Sequence, residues 1–147
     1  HQWWYNRVGS DQGNAPYLDE ALAMYSEVLF FERYYPQYSD WWWDFRVYSY
    51  APEGYVDSAV FTFDVPRDYI DAVYLRGAMM MHALRRDLGD EAFFAWLHDY
   101  AAGMAGQVAA PRDFWGSLSH DEYLMTEAAR RTYLERVDIL PVSAELP

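Results

Sequence analysis

Apolar residues recur at three and four residue steps along several stretches of the chain and lose that rhythm in one. From about Pro16 to Tyr34, residues Leu18, Leu22, Tyr25, Leu29 and Phe30 fall on one side of a helix, with Pro16 where a helix can begin. Between Pro36 and Pro66 the pattern dissolves. SDWWWDF, SYAPEGY and SAVFTFDVP place turn residues every few positions, which predicts an irregular aromatic-rich segment with one short strand at Ala59 to Phe63. Helical spacing resumes at Tyr69 and runs through Val73, Tyr74, Met81 and Leu84 to Leu88. Arg85 and Arg86 suit the last turns, and Gly89 stands just past the end.

Asp90 is placed to cap a further helix in which Phe93, Trp96, Leu97, Tyr100, Ala101 and Met104 share a face, weakened at its end by Gly103 and Gly106. A break at AAPRD precedes Phe114, Trp115 and Leu118. Ser119 then caps a last helix from His120 to about Arg136, with Asp121 and Glu122 at its positive end, and DILPVSAELP reads as an extended tail. Nothing repeats at a fixed period and no low-complexity linker divides the chain. The expectation is a mainly α fold, one helical domain of about four to five helices interrupted by the aromatic-rich segment.

Composition narrows the chemistry. With 147 residues the chain is long enough for one domain with a proper core. Twenty-three carboxylates against 11 Lys plus Arg give a net charge of −12, which repels phosphate backbones and anionic lipid, so nucleic acid and membrane surface are excluded as partners. No apolar run approaches the roughly 20 residues that span a bilayer, so no membrane insertion is expected of this chain. Cysteine is absent, and any metal must be held by His, Asp or Glu. Aromatic residues make up 20% of the chain, and most of them are accounted for as core at helical spacing. The rings of DWWWDF either line a groove or form a patch that another surface covers, in which case a dimer through exposed aromatic faces is expected.

The chain starts HQWWYN and carries histidines at His1, His82, His98 and His120, none paired at i, i+4. Eighteen residues separate His1 from Glu20, which lies in the first turns of the predicted helix in PYLDEALAMYSE. HQWWYN followed by DEALAMY resembles the zinc aminopeptidase family of the gluzincin clan, whose pattern runs HExxHQWFGN and then WLNEGFA. VYLRGAMMMHALRRDLGDEAFFAWLHDYAAG resembles that family's YxKGAxxLxxLRxxLGdeaF stretch. Departures are Trp4 and Tyr5 for Phe and Gly, and Asp19 and Ala21 for Asn and Gly, which mark a divergent member.

The resemblance implies the helical part of a thermolysin-like catalytic domain that hydrolyses peptide bonds by metal-activated water. His1 and Glu20 would be zinc ligands, and Tyr74 would donate its hydroxyl to the oxyanion of the tetrahedral intermediate. The first histidine and the general-base glutamate of HExxH would precede His1, leaving the isolated chain inactive. On this reading residues 1–35 carry the zinc-ligand segment and first helix, 36–68 line a pocket, 69–137 form the helices with Tyr74, and 138–147 the tail. The methionines at 79–81 and His82 read as core, and His98 and His120 as surface or capping residues. Two other readings compete. A free amino-terminal His1 with a second histidine would suit Cu(II). An acidic aromatic-rich module would bind peptide or carbohydrate on Trp42 and Trp43.

Overall fold

The computed structural model describes residues 1–140. Of the expected extended tail at 138–147, residues 141–147 lie outside the described part, and 138–140 carry no regular structure. Helix α1 (Tyr17–Tyr34) begins directly after Pro16 and buries Tyr17, Leu18, Ala21, Leu22, Met24, Tyr25 and Val28. The stripe is rotated from the sequence reading: Ala21, Met24 and Val28 belong to it, while Phe30 is exposed. Small residues on this face allow a close neighbour. That neighbour is α4 (Arg76–Leu88), which buries Gly77, Ala78, Met80, Met81, Ala83 and Leu84.

Two short helices precede α4. Helix α2 (Ser39–Arg46) occupies part of the segment expected to be irregular. Three adjacent tryptophans mask its period, because Trp42 alone is buried while Trp41 and Phe45 stack on each other at the surface. The Trp42 indole N–H donates to Glu27 Oε2 at 3.2 Å, docking α2 on α1. Ala59 to Phe63 is a 3₁₀ turn over Val60–Thr62 and not a strand. No strand lies beside it; Val60 N donates instead to Gly13 O, and Phe61 stands in solvent. Helix α3 (Pro66–Tyr69) then opens into a wide π turn, Ile70–Leu75, that runs without a break into α4.

At the other end of α4, Gly89 adopts a φ of 79° and turns the chain into α5 (Asp90–Gly103). Asp90 is the first residue of that helix, not its cap. Its carboxylate takes a two-pronged bond from Arg85, at 2.7 and 2.9 Å. Parallel pairing of β1 (Gly9–Ser10) with β2 (Val108–Ala109) ties the stretch before α1 to the loop between α5 and α6 (Pro111–Trp115). Phe93, Trp96, Tyr100, Phe114 and Trp115 form the aromatic centre of the core, with Trp96 and Phe114 ring centres 4.6 Å apart. Each buried indole N–H is satisfied. Trp115 donates to Tyr17 OH at 3.0 Å and Trp96 to Ser117 Oγ at 2.8 Å.

The last helix is two. Ser119 caps α7 (His120–Met125) in a reciprocal box with Glu122, as its spacing predicts. The helix breaks at Thr126, and α8 (Glu127–Tyr133) ends before Arg136. The buried Arg130 guanidinium explains the break. It needs partners, and it takes Thr126 Oγ1, Tyr123 OH and O, and Val137 O, all within 3.2 Å. Buried Asp57 then captures the N–H groups of Glu135 and Arg136 at 2.8 and 3.0 Å, holding the chain out of helix.

The tightest joint in the fold is the crossing of α1 and α4. A Cβ on Gly77 would lie 2.5 Å from Ala21 Cβ. Gly77→Ala is expected to lower stability by about 1–3 kcal/mol through this overlap. Gly103→Ala, where a Cβ meets nothing within 4 Å, is expected to be neutral or stabilising. Urea midpoints of the two variants check the contrast.

Candidate metal centre

The segment from His1 to Glu20 folds back on itself, which brings its two ends together. Trp4 forms a bridge to Val8, with Tyr5 at a φ of 89° making the reversal. The Trp4 ring stacks on Tyr100 and its N–H donates to Ser26 Oγ of α1 at 3.1 Å. Beyond β1, Asp11 accepts from the N–H groups of Gly13 and Asn14, and Gln12 donates to Asp19 at 2.9 Å. The loop therefore closes on the first turn of α1.

His1 Nε2 stands 3.0 Å from Glu20 Oε2. On the far side of the ring, His1 Nδ1 lies 3.2 Å from Trp4 O, a carbonyl that can only accept, so Nδ1 carries a proton and Nε2 bears the lone pair whenever the ring is neutral. Glu20 Oε2 is buried and has no hydrogen-bond partner; the His1 contact has ion-pair distance without the alignment of a hydrogen bond. An imidazole nitrogen and a carboxylate oxygen thus converge, an ion pair when the ring is protonated and two donors to a cation when it is not. An imidazole nitrogen and a carboxylate oxygen are donors that suit zinc. Among the described residues no third His, Cys, Asp or Glu joins them. His82 Nδ1 bonds Tyr25 OH, His98 pairs with Asp99, and His120 opens α7.

Tyr74 faces the same carboxylate from the π turn. Burial, with Glu20 next, pushes its phenol far above the ordinary value, so it stays a neutral donor. Burial also raises Glu20, opposed by Tyr74 and reinforced by Asp19. The π turn has a second effect that the sequence reading missed. Tyr69 packs edge-on against Tyr74 at 5.5 Å, and its phenol too is raised, by burial first and by Glu20 next. Residues five apart on a regular helix point roughly 140° away from each other. In a turn closed by i to i+5 bonds they come into line, and no helical period could have signalled it.

Trp42 and Trp43 do not form an open platform. Trp42 is 1% exposed, and Trp43 is half-buried between Trp42, Tyr48 and His82. The exposed rings are others: Phe30, Tyr34, Tyr35, Trp41 and Phe45 form a row joined through half-buried Phe31.

The model of the peptidase family M1 domain matches residues 1–133, a span that holds His1, Glu20 and Tyr74. The chain belongs to peptidase family M1. Aminopeptidase N of Lactococcus lactis subsp. lactis is 38% identical over 74 residues, which cover 50% of the chain and 9% of that protein. The M1 zinc metallopeptidase of Deinococcus radiodurans, in its crystal structure with a Tyr-Ser-Ala substrate, superposes with a TM-score of 0.67 at 23% identity over 88% of the chain. A two-domain M1 zinc metallopeptidase bound to L-arginine gives 0.65 at 24% identity. The chain spans 30% of each of these solved chains, and their fold is shared by its helices. The mainly α architecture is thus the helical part of an M1 catalytic domain. No helix among the described residues is long and apolar enough to cross a membrane.

The raised Glu20 gives a pH signature in the metal-free protein. A carboxyl raised by folding takes up protons in the folded state, so its burden on stability is absent below about 4.5, its ordinary value, and grows as pH rises through the folded value. Glu20→Gln is expected to be more stable than the parent at pH 7 without metal, with the difference closing below pH 4.5. Thermal melts in chelator across this range measure it.

Proposed function

We propose that this chain supplies the carboxylate-ligand and oxyanion side of the catalytic domain of a zinc aminopeptidase-like M1 metallopeptidase acting on peptides. The observation that carries the proposal is the unpartnered Glu20 Oε2, buried 3.0 Å from a His1 nitrogen whose ring partner is committed to Trp4 O. In this reading His1 and Glu20 hold zinc together with a histidine that precedes His1, and the glutamate that acts as base precedes it as well. Zinc bound there would supply Lewis-acid polarisation of the peptide carbonyl and a water of lowered pKa.

The chain's own residues do the rest of the work on this side. His1 is fixed in one tautomer by Trp4 O, which keeps Nε2 available. Glu20 is held on a rigid helix whose packing sets its direction. Tyr74 is kept protonated by burial and by the neighbouring carboxylate, so it can donate to the oxygen on which charge develops during attack on a peptide bond. Tyr69 packs edge-on against the Tyr74 ring and braces it. The peptide seen on the Deinococcus radiodurans relative supports peptide as the substrate class. The row of exposed rings from Phe30 to Phe45 supports self-association, which sedimentation at increasing concentration reads directly.

Tyr74→Phe in the full-length protein is expected to lower kcat by about 10²–10³-fold, with zinc content unchanged. His1→Ala and Glu20→Ala are expected to strip the metal. Equal turnover in Tyr74→Phe overturns the oxyanion role. The 147 residues alone are expected to show no peptide hydrolysis and weak or no zinc retention. Robust, chelator-sensitive cleavage by the isolated chain would refute the need for residues outside it.

A further inference from the structure

We infer that Asp19 is the positioning residue of the metal centre, the buried clamp that fixes the direction of the Glu20 carboxylate. The inference rests on the zinc reading above. Asp19 is wholly buried, at 0% exposure, on the helix turn that carries Glu20. A buried carboxylate without partners costs several kcal/mol, so its partners are part of the fold. They come from both ends of the folded-back loop. Gln12 Nε2 donates to Oδ2 at 2.9 Å, and the Glu20 backbone N–H donates to Oδ1 at 2.9 Å. Ser10 Oγ of β1, buried and without a hydrogen-bond partner, faces the same carboxylate.

These contacts have a directional consequence. Pro16 offers no side-chain cap; the Glu20 N–H donates to Pro16 O at 3.0 Å and is shared with Asp19 Oδ1, so the Asp19 carboxylate reaches the N–H of the candidate ligand residue itself. Through Gln12 the same carboxylate grips the loop that returns from His1 and β1. One side chain thus sets the mutual placement of the two groups that face each other across 3.0 Å. The bonds of Gln12 and Asp19 run to one another and to the Glu20 backbone, not to the His1 imidazole or the Glu20 carboxylate, so their effect is on placement and not on coordination.

The test uses the full-length protein and measures zinc affinity by chelator competition beside kcat, KM and the urea midpoint. Partners of metal ligands typically carry about 10–100-fold in metal affinity. Asp19→Ala is expected to weaken zinc by that amount, with a changed visible spectrum of the cobalt-substituted protein. Asp19→Asn keeps an oxygen for the Glu20 N–H and an amide for a flipped Gln12, and is expected to stay within about threefold of the parent. Gln12→Ala, which leaves the helix intact, is expected to weaken zinc about tenfold and covers the case in which Asp19→Ala does not fold. Unchanged affinity and cobalt spectrum in folded Asp19→Ala, or in Gln12→Ala, overturn the inference while Glu20→Ala still loses metal. A parent protein that binds no zinc overturns the zinc reading and this inference together.

Discussion

The arrangement depends on how closely two helices cross. With Ala21 on α1 and Gly77 on α4, their backbones approach so nearly that no side chain fits between them. Glu20 precedes Ala21 by one residue and Tyr74 precedes Gly77 by three, so the same contact that closes the core brings a carboxylate and a phenol to one side of it. Packing and chemistry are thus coupled at the level of a missing methyl group.

Around that crossing the polar groups are ordered by what surrounds them. Nδ1 of His1, the Asp19 carboxylate and the Trp4 indole each find a partner, and the partners lie on different elements. Glu20 Oε2 is left without one. Asp57 by contrast holds two backbone N–H groups and Asp19 two donors.

Much of this was legible before any coordinates. Pro16, the apolar steps through Tyr25, the Arg85 to Gly89 stop and the Ser119 box are local signals, and local signals report helices faithfully. Where they failed, a tertiary partner decided. The run SDWWWDF hides one buried ring among three alike, and only Glu27 across the interface tells which. Residues 59–63 alternate like a strand but have no neighbour to pair with, and pairing is what makes a strand. The long final helix broke because Arg130 and Asp57 each required partners that a continuous helix would withhold. At the site, eighteen residues between His1 and Glu20 gave the pairing, whereas Tyr69 was invisible, since its approach to Tyr74 depends on a turn that departs from 3.6 residues.

That wide turn carries one more implication. It accommodates a single residue beyond what a regular helix would hold between Tyr69 and Leu75, and the looser winding absorbs the surplus. Forcing all six residues into regular helix would swing α3 and the preceding segment by roughly 100° about its axis. The wide turn is therefore how the chain carries one residue more without displacing what lies on either side.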